Sequence, residues 1–409
     1  MKKILMISFR FPWPEWKGGF NLRVLRFAKI LARNYSLDLL TLIRTKEEKR
    51  NVKNLEKEKI FNNIFYFYHS AIKEYKNAFF GLFSSLPLQI NYYFSKPAVN
   101  WLEKNYKKYD LLYFNTIRTV QWGKKLKDIP KVIDLIDAVS LNYLEARKWN
   151  TFFWKLIYKI EIPRLICYER EILKSNLFDK IFISSEFDKK YLLQNSKIQI
   201  PSSKLVVIPN GVKEELLRKN REQEAEDEKE ENWISFFGKM DTQPNQDAVC
   251  FFAKKIFPKI LKIIPNCYFY IIGTNPSPRV RSLEKIKNVR VTGYVKNPYE
   301  ILQKSKVIVA PLRFGAGIQN KVLEAMALKK AVVSSPIAVR GILGIEKGKH
   351  LEVVDVRSPG LWAEKVIEFL ENSSKRIKIG EQAKKLIEQN YRWEKAGKCL
   401  IKNIEEIIS

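Results

Sequence analysis

The strongest constraint on this chain is a rhythm. Short β-rich runs at residues 4–8, 37–43, 64–68, 111–115, 131–136 and 180–184 alternate with amphipathic stretches such as 21–33 and 98–107. Strands separated by helical patterns build βαβ units and a parallel sheet, because tight hairpins cannot join them. After residue 232 the rhythm restarts. Residues 233–237, 267–272, 289–291, 307–310 and 331–334 read as strands, and 245–263, 318–328 and 359–371 as helices. At 409 residues the chain is long for one sheet, so two doubly wound α/β domains are expected, hinged near 205–232. One more amphipathic helix covers 393–408.

Composition removes several function classes. Only two histidines, His69 and His350, are present, and the four cysteines (Cys167, Cys250, Cys267, Cys399) lie far apart without a CxxC pair. Zinc modules, disulfide scaffolds and histidine-rich metal sites are disfavoured, and a reducing cytoplasmic setting is expected. The N-terminus enters a strand-like run directly and shows no signal-peptide pattern. The longest uncharged window, 77–95, is diluted by Pro87, Gln89, Asn91 and serines, which argues against a spanning helix.

The formal charge of +30 asks for a polyanionic partner: nucleic acid, an anionic membrane or a phosphorylated ligand. Residues 1–100 carry 18 Lys and Arg against 7 Asp and Glu, and residues 233–350 carry 20 against 6. Between them, 222–231 holds seven acids without apolar periodicity and reads as a solvated loop.

Two loops could hold an anion. Gly18 and Gly19 follow the first strand and open a helix containing Arg23 and Arg26, where free amides and the helix dipole favour negative charge; an ordinary tight turn is the alternative. The stronger constellation is PLRFGAGIQNKVLEAMA, residues 311–327. A strand ends at Pro311, Gly315 and Gly317 loosen the loop, and a helix starts near Ile318. Amides there could take a diphosphate, Lys321 could neutralise it, and Glu324 could accept from two vicinal ribose hydroxyls. Otherwise Lys321 and Glu324 are an i,i+3 pair facing solvent.

In that order, Pro209-Asn210-Gly211-Val212, Phe237-Gly238-Lys239, Ile271-Ile272-Gly273, Thr292-Gly293-Tyr294-Val295 and Gly315-x-Gly317-x3-Lys321-x2-Glu324-Ala325-Met326-Ala327 resemble glycosyltransferase family 4. These are retaining nucleotide-sugar transferases of GT-B fold, and the resemblance runs through nearly the whole chain. It implies an acceptor-binding Rossmann-like domain over 1–204 and a nucleotide-sugar-binding one over 205–390, facing a cleft, with a helix at 391–409 crossing back to the N-domain. It further implies that Glu324 binds the ribose, that backbone near Tyr294 and Val295 meets the base, and that amides of Ile318, Gln319 and Asn320 up to Lys321 hold the diphosphate. Gly18 and Gly19 would close from the other domain, and Asn210, Gly238, Gly273, Gly315 and Gly317 belong to the donor-side motifs. No DxD motif is present, so a metal-independent hexosyl transfer without a cofactor is expected, with Lys239 and Lys321 meeting leaving-group charge.

Three departures matter. A second glutamate eight residues before the ribose-binding one is often present in the family; here that position is Ala316, so the donor sugar is not inherited. The family's second phosphate-binding base would fall near Pro244-Asn245 and is missing. Asp134 and Asp137 stand where a histidine is usual; Asp137 either orients acceptor or sugar, or caps a helix as a structural carboxylate.

Eleven Phe or Tyr in residues 65–94, the run WNTFFWKLIYK at 149–159 and the basic stretch 44–59 resemble an interfacial surface. The expected protein is a cytoplasmic glycosyltransferase, peripheral on the inner face of the membrane. It would take a nucleotide-sugar donor and a glycan or lipid-linked acceptor in cell-surface polysaccharide assembly. A sugar-nucleotide epimerase is the first rival. A nucleic-acid-binding protein is the second, disfavoured because no recognition signature accompanies the charge.

Overall fold

The computed structural model describes residues 1–149, 151–196, 201, 203–217, 230–315 and 317–408. The chain divides into two compact units, Met1–Pro209 with Ala396–Ser409, and Asn210–Lys395.

The first unit is built on seven parallel strands: Lys3–Ser8 (β1), Ser36–Ile43 (β2), Asn63–Tyr68 (β3), Leu111–Asn115 (β4), Lys131–Ile136 (β5), Lys180–Ile183 (β6) and Leu205–Val207 (β7). Their order is β3-β2-β1-β4-β5-β6-β7. Central strands such as β1 and β4 are covered on both faces, so they read as continuous apolar runs without alternation. Leu5, Ile7, Leu40, Phe114, Ile133 and Ile181 make the middle of the core. The chain order reverses between β1 and β4, which places the sheet's switch point at the ends of those two strands.

The C-terminal helix, Trp393–Ile408, contributes residues 396–408 to this unit. A Cβ on Gly397 would lie 3.2 Å from Ile30, and Lys180 Nζ sits 2.7 Å from Glu406 Oε2.

The second unit carries six parallel strands: Glu231–Phe237 (β8), Tyr268–Ile272 (β9), Val289–Gly293 (β10), Ser305–Ala310 (β11), Ala331–Ser334 (β12) and Glu352–Val353 (β13), in the order β10-β9-β8-β11-β12-β13. Its switch point lies between β8 and β11. Helices Asn320–Ala327, Pro359–Glu371 and Ser373–Asn390 cover the sheet and bury Met326, Trp362 and Ile387.

Two expectations need correction. The single helix expected over 245–263 is Gln243–Phe251, a π-type turn Phe252–Ile256, and Phe257–Leu261. Pro258 has no amide proton to continue the α ladder, and the turn before it widens, with Phe257 N–H donating to Phe252 O. The acidic run 222–231 is not solvated throughout. Residues 222–229 lie outside the described residues, but Glu230 is anchored by Lys330 at 2.8 Å and Arg376 at 2.7 Å, and Glu231 opens β8.

Candidate functional site

In the second unit the motif residues meet at the carboxyl ends of β8, β9 and β11. Gly238 N–H donates to Ile272 O at 3.0 Å, which pins the turn after β8 to the end of β9. A Cβ on Gly273 would stand 1.8 Å from Gly238 O, so only glycine permits this approach. A Cβ on Gly238 would stand 2.9 Å from Asn245 Nδ2 and 3.4 Å from Lys321 Nζ. Gly238 thereby leaves room for a cation.

That cation is Lys321, in the first turn of the helix Asn320–Ala327. Its ammonium donates to Asn245 Oδ1 and lies 4.5 Å from the Phe236 ring centroid. Asn245 Nδ2 in turn donates to Lys239 O at 2.8 Å, which fixes the amide's orientation. Burial lowers the Lys321 pKa to about 7, against a smaller opposing pull from Glu324. Asn245 therefore occupies the position where the family's second base is missing, and supplies a neutral oxygen to Lys321.

One turn on, Glu324 accepts from Tyr299 Oη at 3.2 Å. Burial raises its pKa to about 7; Lys213, the Tyr299 hydroxyl and Lys321 pull the other way. Lys213 Nζ lies 5.1 Å from the Tyr299 ring centroid. Asn210 Nδ2 donates to Asn320 Oδ1 at 3.0 Å, tying the PNG turn to the helix start. The loop between β11 and this helix is braced by Arg340, which donates to Gly315 O at 2.6 Å, and by Arg313, whose Nε is 2.6 Å from Asp247 Oδ2. Gly317 takes a positive φ of 66° there, and Ile318 is half-buried. Tyr294 stays 63% exposed, while Val295 packs on the core. Lys239 points its ammonium at Asp241, 3.1 Å away, and remains partly exposed. Ala316 lies outside the described residues.

In the first unit Gly18 precedes the helix Gly19–Leu31, and a Cβ there would meet nothing within 4 Å. The two arginines of that helix are committed elsewhere, contrary to the anion role suggested by their sequence position. Arg23 is fully buried and holds Asp134 with two hydrogen bonds, of 2.6 Å and 3.0 Å, and donates to Ile208 O at 2.8 Å. Arg26 lies 2.6 Å from Glu15. Asp134 is thus a structural carboxylate.

Asp137 is different. The neighbouring amides of Ala138 and Ser140 donate to Asp188 and Glu169, so Asp137 is not needed as a cap. Its own carboxylate accepts from Asn142 Nδ2 at 2.8 Å. Burial, then the charge of Asp188, raises its pKa to about 6, and Arg118 opposes this. Glu169, nearby and buried, is pushed up to about 7. Among the described residues no group of three or more His, Cys, Asp or Glu is placed to hold a metal ion.

The residues that sequence reasoning missed are Asn245, Tyr299, Lys213 and the Arg313–Asp247 brace. Each acts across strands far apart in sequence, and no local pattern announces them.

Residues 231–372 match the family model described as glycosyl transferases group 1. Over 98% of its length the chain is similar, at 24% identity, to the whole of an uncharacterized 44.6 kDa protein in a cps region of Klebsiella pneumoniae. Over 27% of its length it is 28% identical to an uncharacterized glycosyltransferase of Methanocaldococcus jannaschii. Among solved structures, sucrose-phosphate synthase of Thermosynechococcus elongatus superposes with a TM-score of 0.69 at 15% identity, covering 99% of each chain. HepE of Anabaena, in complex with UDP-glucose, gives a TM-score of 0.66 at 14% identity, covering 99% of this chain and 100% of that one. The fold is the GT-B fold. Both sheets carry the doubly wound order that this fold repeats.

Proposed function

We propose that this chain is a retaining, family 4 glycosyltransferase that moves a hexose from a nucleotide diphosphate sugar to a hydroxyl of a glycan or lipid-linked acceptor in cell-surface polysaccharide assembly. The observation that carries this reading is the pairing of Lys321, seated on Asn245 beside Gly238, with Glu324 one turn later on the same helix. The family match over 231–372 and the neighbour holding UDP-glucose support it.

In this reading the diphosphate lies over the amides at the start of the helix Asn320–Ala327, where Lys321 and the dipole meet its charge. Glu324, held by Tyr299, accepts from the ribose hydroxyls, and exposed Tyr294 faces the base. The anomeric carbon–phosphate oxygen bond breaks as the acceptor oxygen attacks from the same face. The leaving phosphate oxygen takes the acceptor's proton. Preorganised cations that meet the charge developing on that oxygen lower the barrier directly. Asp137, not consumed by capping, is assigned to orienting the acceptor hydroxyl. The reaction is proposed to need no metal.

Thermal-shift screening against a panel of sugar nucleotides, followed by calorimetry on Glu324→Ala, tests the donor site. The variant is expected to stay folded and lose donor affinity about ten- to 150-fold, from about 1.5 to 3 kcal/mol for an orphaned set of ribose hydroxyls. Unchanged affinity would refute the ribose assignment. Turnover should persist in EDTA; loss restored by magnesium or manganese would refute the metal-free step. Product must appear only with acceptor present, which separates transfer from epimerisation.

A membrane surface is proposed as the place of work. The helices Ala71–Gly81 and Phe152–Lys174 are joined by Arg164, which donates to Gly81 O and Leu82 O at 3.1 Å and 3.0 Å. Phe79, Phe80 and Phe83 are exposed at the end of the first of these helices and just beyond it, and Phe152, Phe153 and Trp154 in the first turn of the second, with Lys76, Lys155 and Lys159 also exposed on these two helices. Aromatics flanked by lysines suit an anionic headgroup layer. Of the other aromatics of 65–94, Tyr66, Tyr68, Tyr75 and Phe94 are also exposed, whereas Phe65 and Phe67 pack on the core and Tyr92 and Tyr93 turn toward arginines. No helix among the described residues is long and apolar enough to cross a membrane.

A further inference from the structure

The switch point of the first sheet holds an arrangement that the donor reading leaves unused. Arg10 lies two residues beyond β1, Arg44 directly follows β2, and Arg118 lies three residues beyond β4. All three therefore rise from the carboxyl ends of adjacent strands, where doubly wound sheets take ligands. Their guanidiniums gather on one aromatic cluster. Arg10 is 4.3 Å from the Phe20 ring centroid and 5.2 Å from that of Phe9. Arg118 is 5.0 Å from Phe9 and 5.8 Å from Tyr93, and Arg44 is 5.3 Å from Tyr93.

Their partners do not balance them. Arg44 Nη2 lies 2.5 Å from Glu74, which is buried. Glu48 accepts from the Arg44 amide at 2.7 Å and faces Lys17 at 3.5 Å. Among the described residues, neither the Arg10 nor the Arg118 guanidinium donates a hydrogen bond to the protein; both only stack on rings. Arg10 is reached by solvent and Arg118 is half-buried, so both can be touched by a ligand. Asp137, the carboxylate within reach of Arg118, stands beside the cluster.

We propose that Arg10, Arg44 and Arg118 form a binding site for a phosphoryl or diphosphoryl group carried by the acceptor. Three guanidiniums exceed the buried Glu74 and the neighbouring Asp137 by one positive charge, and the several oxygens of a phosphoryl group of about −2 charge answer both that excess and the N–H groups of Arg10 and Arg118 that the protein leaves unbonded. Planar forks presenting many N–H groups suit the several oxygens of such a group, and stacking on Phe9, Phe20 and Tyr93 fixes the forks before the ligand arrives. The assignment to an acceptor rests on the sugar-transfer reading; the anion site itself does not. The bearer is a soluble phosphorylated glycan or a lipid diphosphate, and the same three residues serve either.

The test uses the full chain saturated with UDP, so that the second unit's diphosphate site is filled. Inorganic pyrophosphate is titrated by calorimetry, and farnesyl diphosphate in phosphatidylcholine vesicles by co-sedimentation. Wild type is expected to bind in at least one arm, the arm it prefers naming the bearer. Arg10→Gln and Arg118→Gln should each weaken that binding about tenfold or more, with UDP affinity unchanged. Arg10 is exposed and makes no hydrogen bond to the protein through its side chain, so its variant carries the test even where Arg118→Gln fails to fold. No binding by wild type in either arm, or equal binding by Arg10→Gln, overturns the proposal. Failure of UDP and of every other nucleotide diphosphate of the screening panel to bind would instead overturn the donor reading, which keeps the two separable.

Discussion

In the proposed donor site Lys321 and Glu324 would meet one ligand from one helix with opposite protonation demands, and burial brings the pKa of each to about 7 in the free protein. A diphosphate needs Lys321 protonated. Above about pH 7 the free lysine is neutral, so binding must first recruit a proton, and each further pH unit costs up to about 1.4 kcal/mol until the pKa of the bound state is reached. Ribose hydroxyls need Glu324 ionised. Below about pH 7 the free carboxyl is protonated, and each unit down costs up to the same amount. Donor affinity should therefore be bell-shaped with a maximum near neutrality. The ceiling is about a hundredfold loss over two units on either flank, and partial solvent access reduces it, so a tenfold loss over two units meets the expectation. Calorimetry with an intact sugar nucleotide, from about pH 5 to about pH 9, measures this. UDP itself is unsuitable because its terminal phosphate titrates near about 6. Lys321→Met should flatten the alkaline flank alone and Glu324→Gln the acid flank alone. A flat wild-type profile, or an alkaline flank that survives in Lys321→Met, would refute the reasoning.

Two further outcomes follow from the first unit. Asp134→Ala removes the carboxylate that the fully buried Arg23 holds and should destabilise the protein by about 3 to 5 kcal/mol in denaturant titration; a loss under about 1 kcal/mol would show the pair is not structural. The triple variant Trp149→Ser, Phe153→Ser, Trp154→Ser should keep its fold, because all three are exposed, yet sediment less with anionic vesicles than wild type. Equal sedimentation would mean that the lysines act alone.

The fold was legible because the central strands of each parallel sheet are covered on both faces and so leave nearly unbroken apolar runs. β4, β5 and β12 have the bounds read from sequence, and β1, β2 and β11 differ by one or two residues. What escaped was short or broken by chemistry that periodicity ignores. β7 has three residues and β13 two, too few to show a period, and Pro258 interrupts a helix whose apolar pattern runs straight through it. The helix Ser373–Asn390 buries a narrow line, Ile379, Gly380, Ala383, Leu386 and Ile387, among many charged residues. Its Gly380 would place a Cβ 2.0 Å from Lys329 O, a close approach that a hydropathy pattern records only as a gap.

The site divides along the same line. Glycine spacing and the Lys321–Glu324 interval are local and therefore visible in the sequence, and the apolar residues around Glu324 already point to the burial that the structure shows. Reading Arg23 and Asp137 required partners. A helix that follows Gly18 and bears two arginines has the composition of an anion site, yet Arg23 spends its charge on Asp134, a residue 111 positions away. Arg10, Arg44 and Arg118 look unremarkable in sequence, one after each of three strands. Parallel pairing of β2, β1 and β4 carries their backbones to one end of the sheet, and the rings of Phe9 and Tyr93 hold their side chains together. A charge of +30 spread over the chain says only that an anion is wanted; the order of the strands says where charge is concentrated.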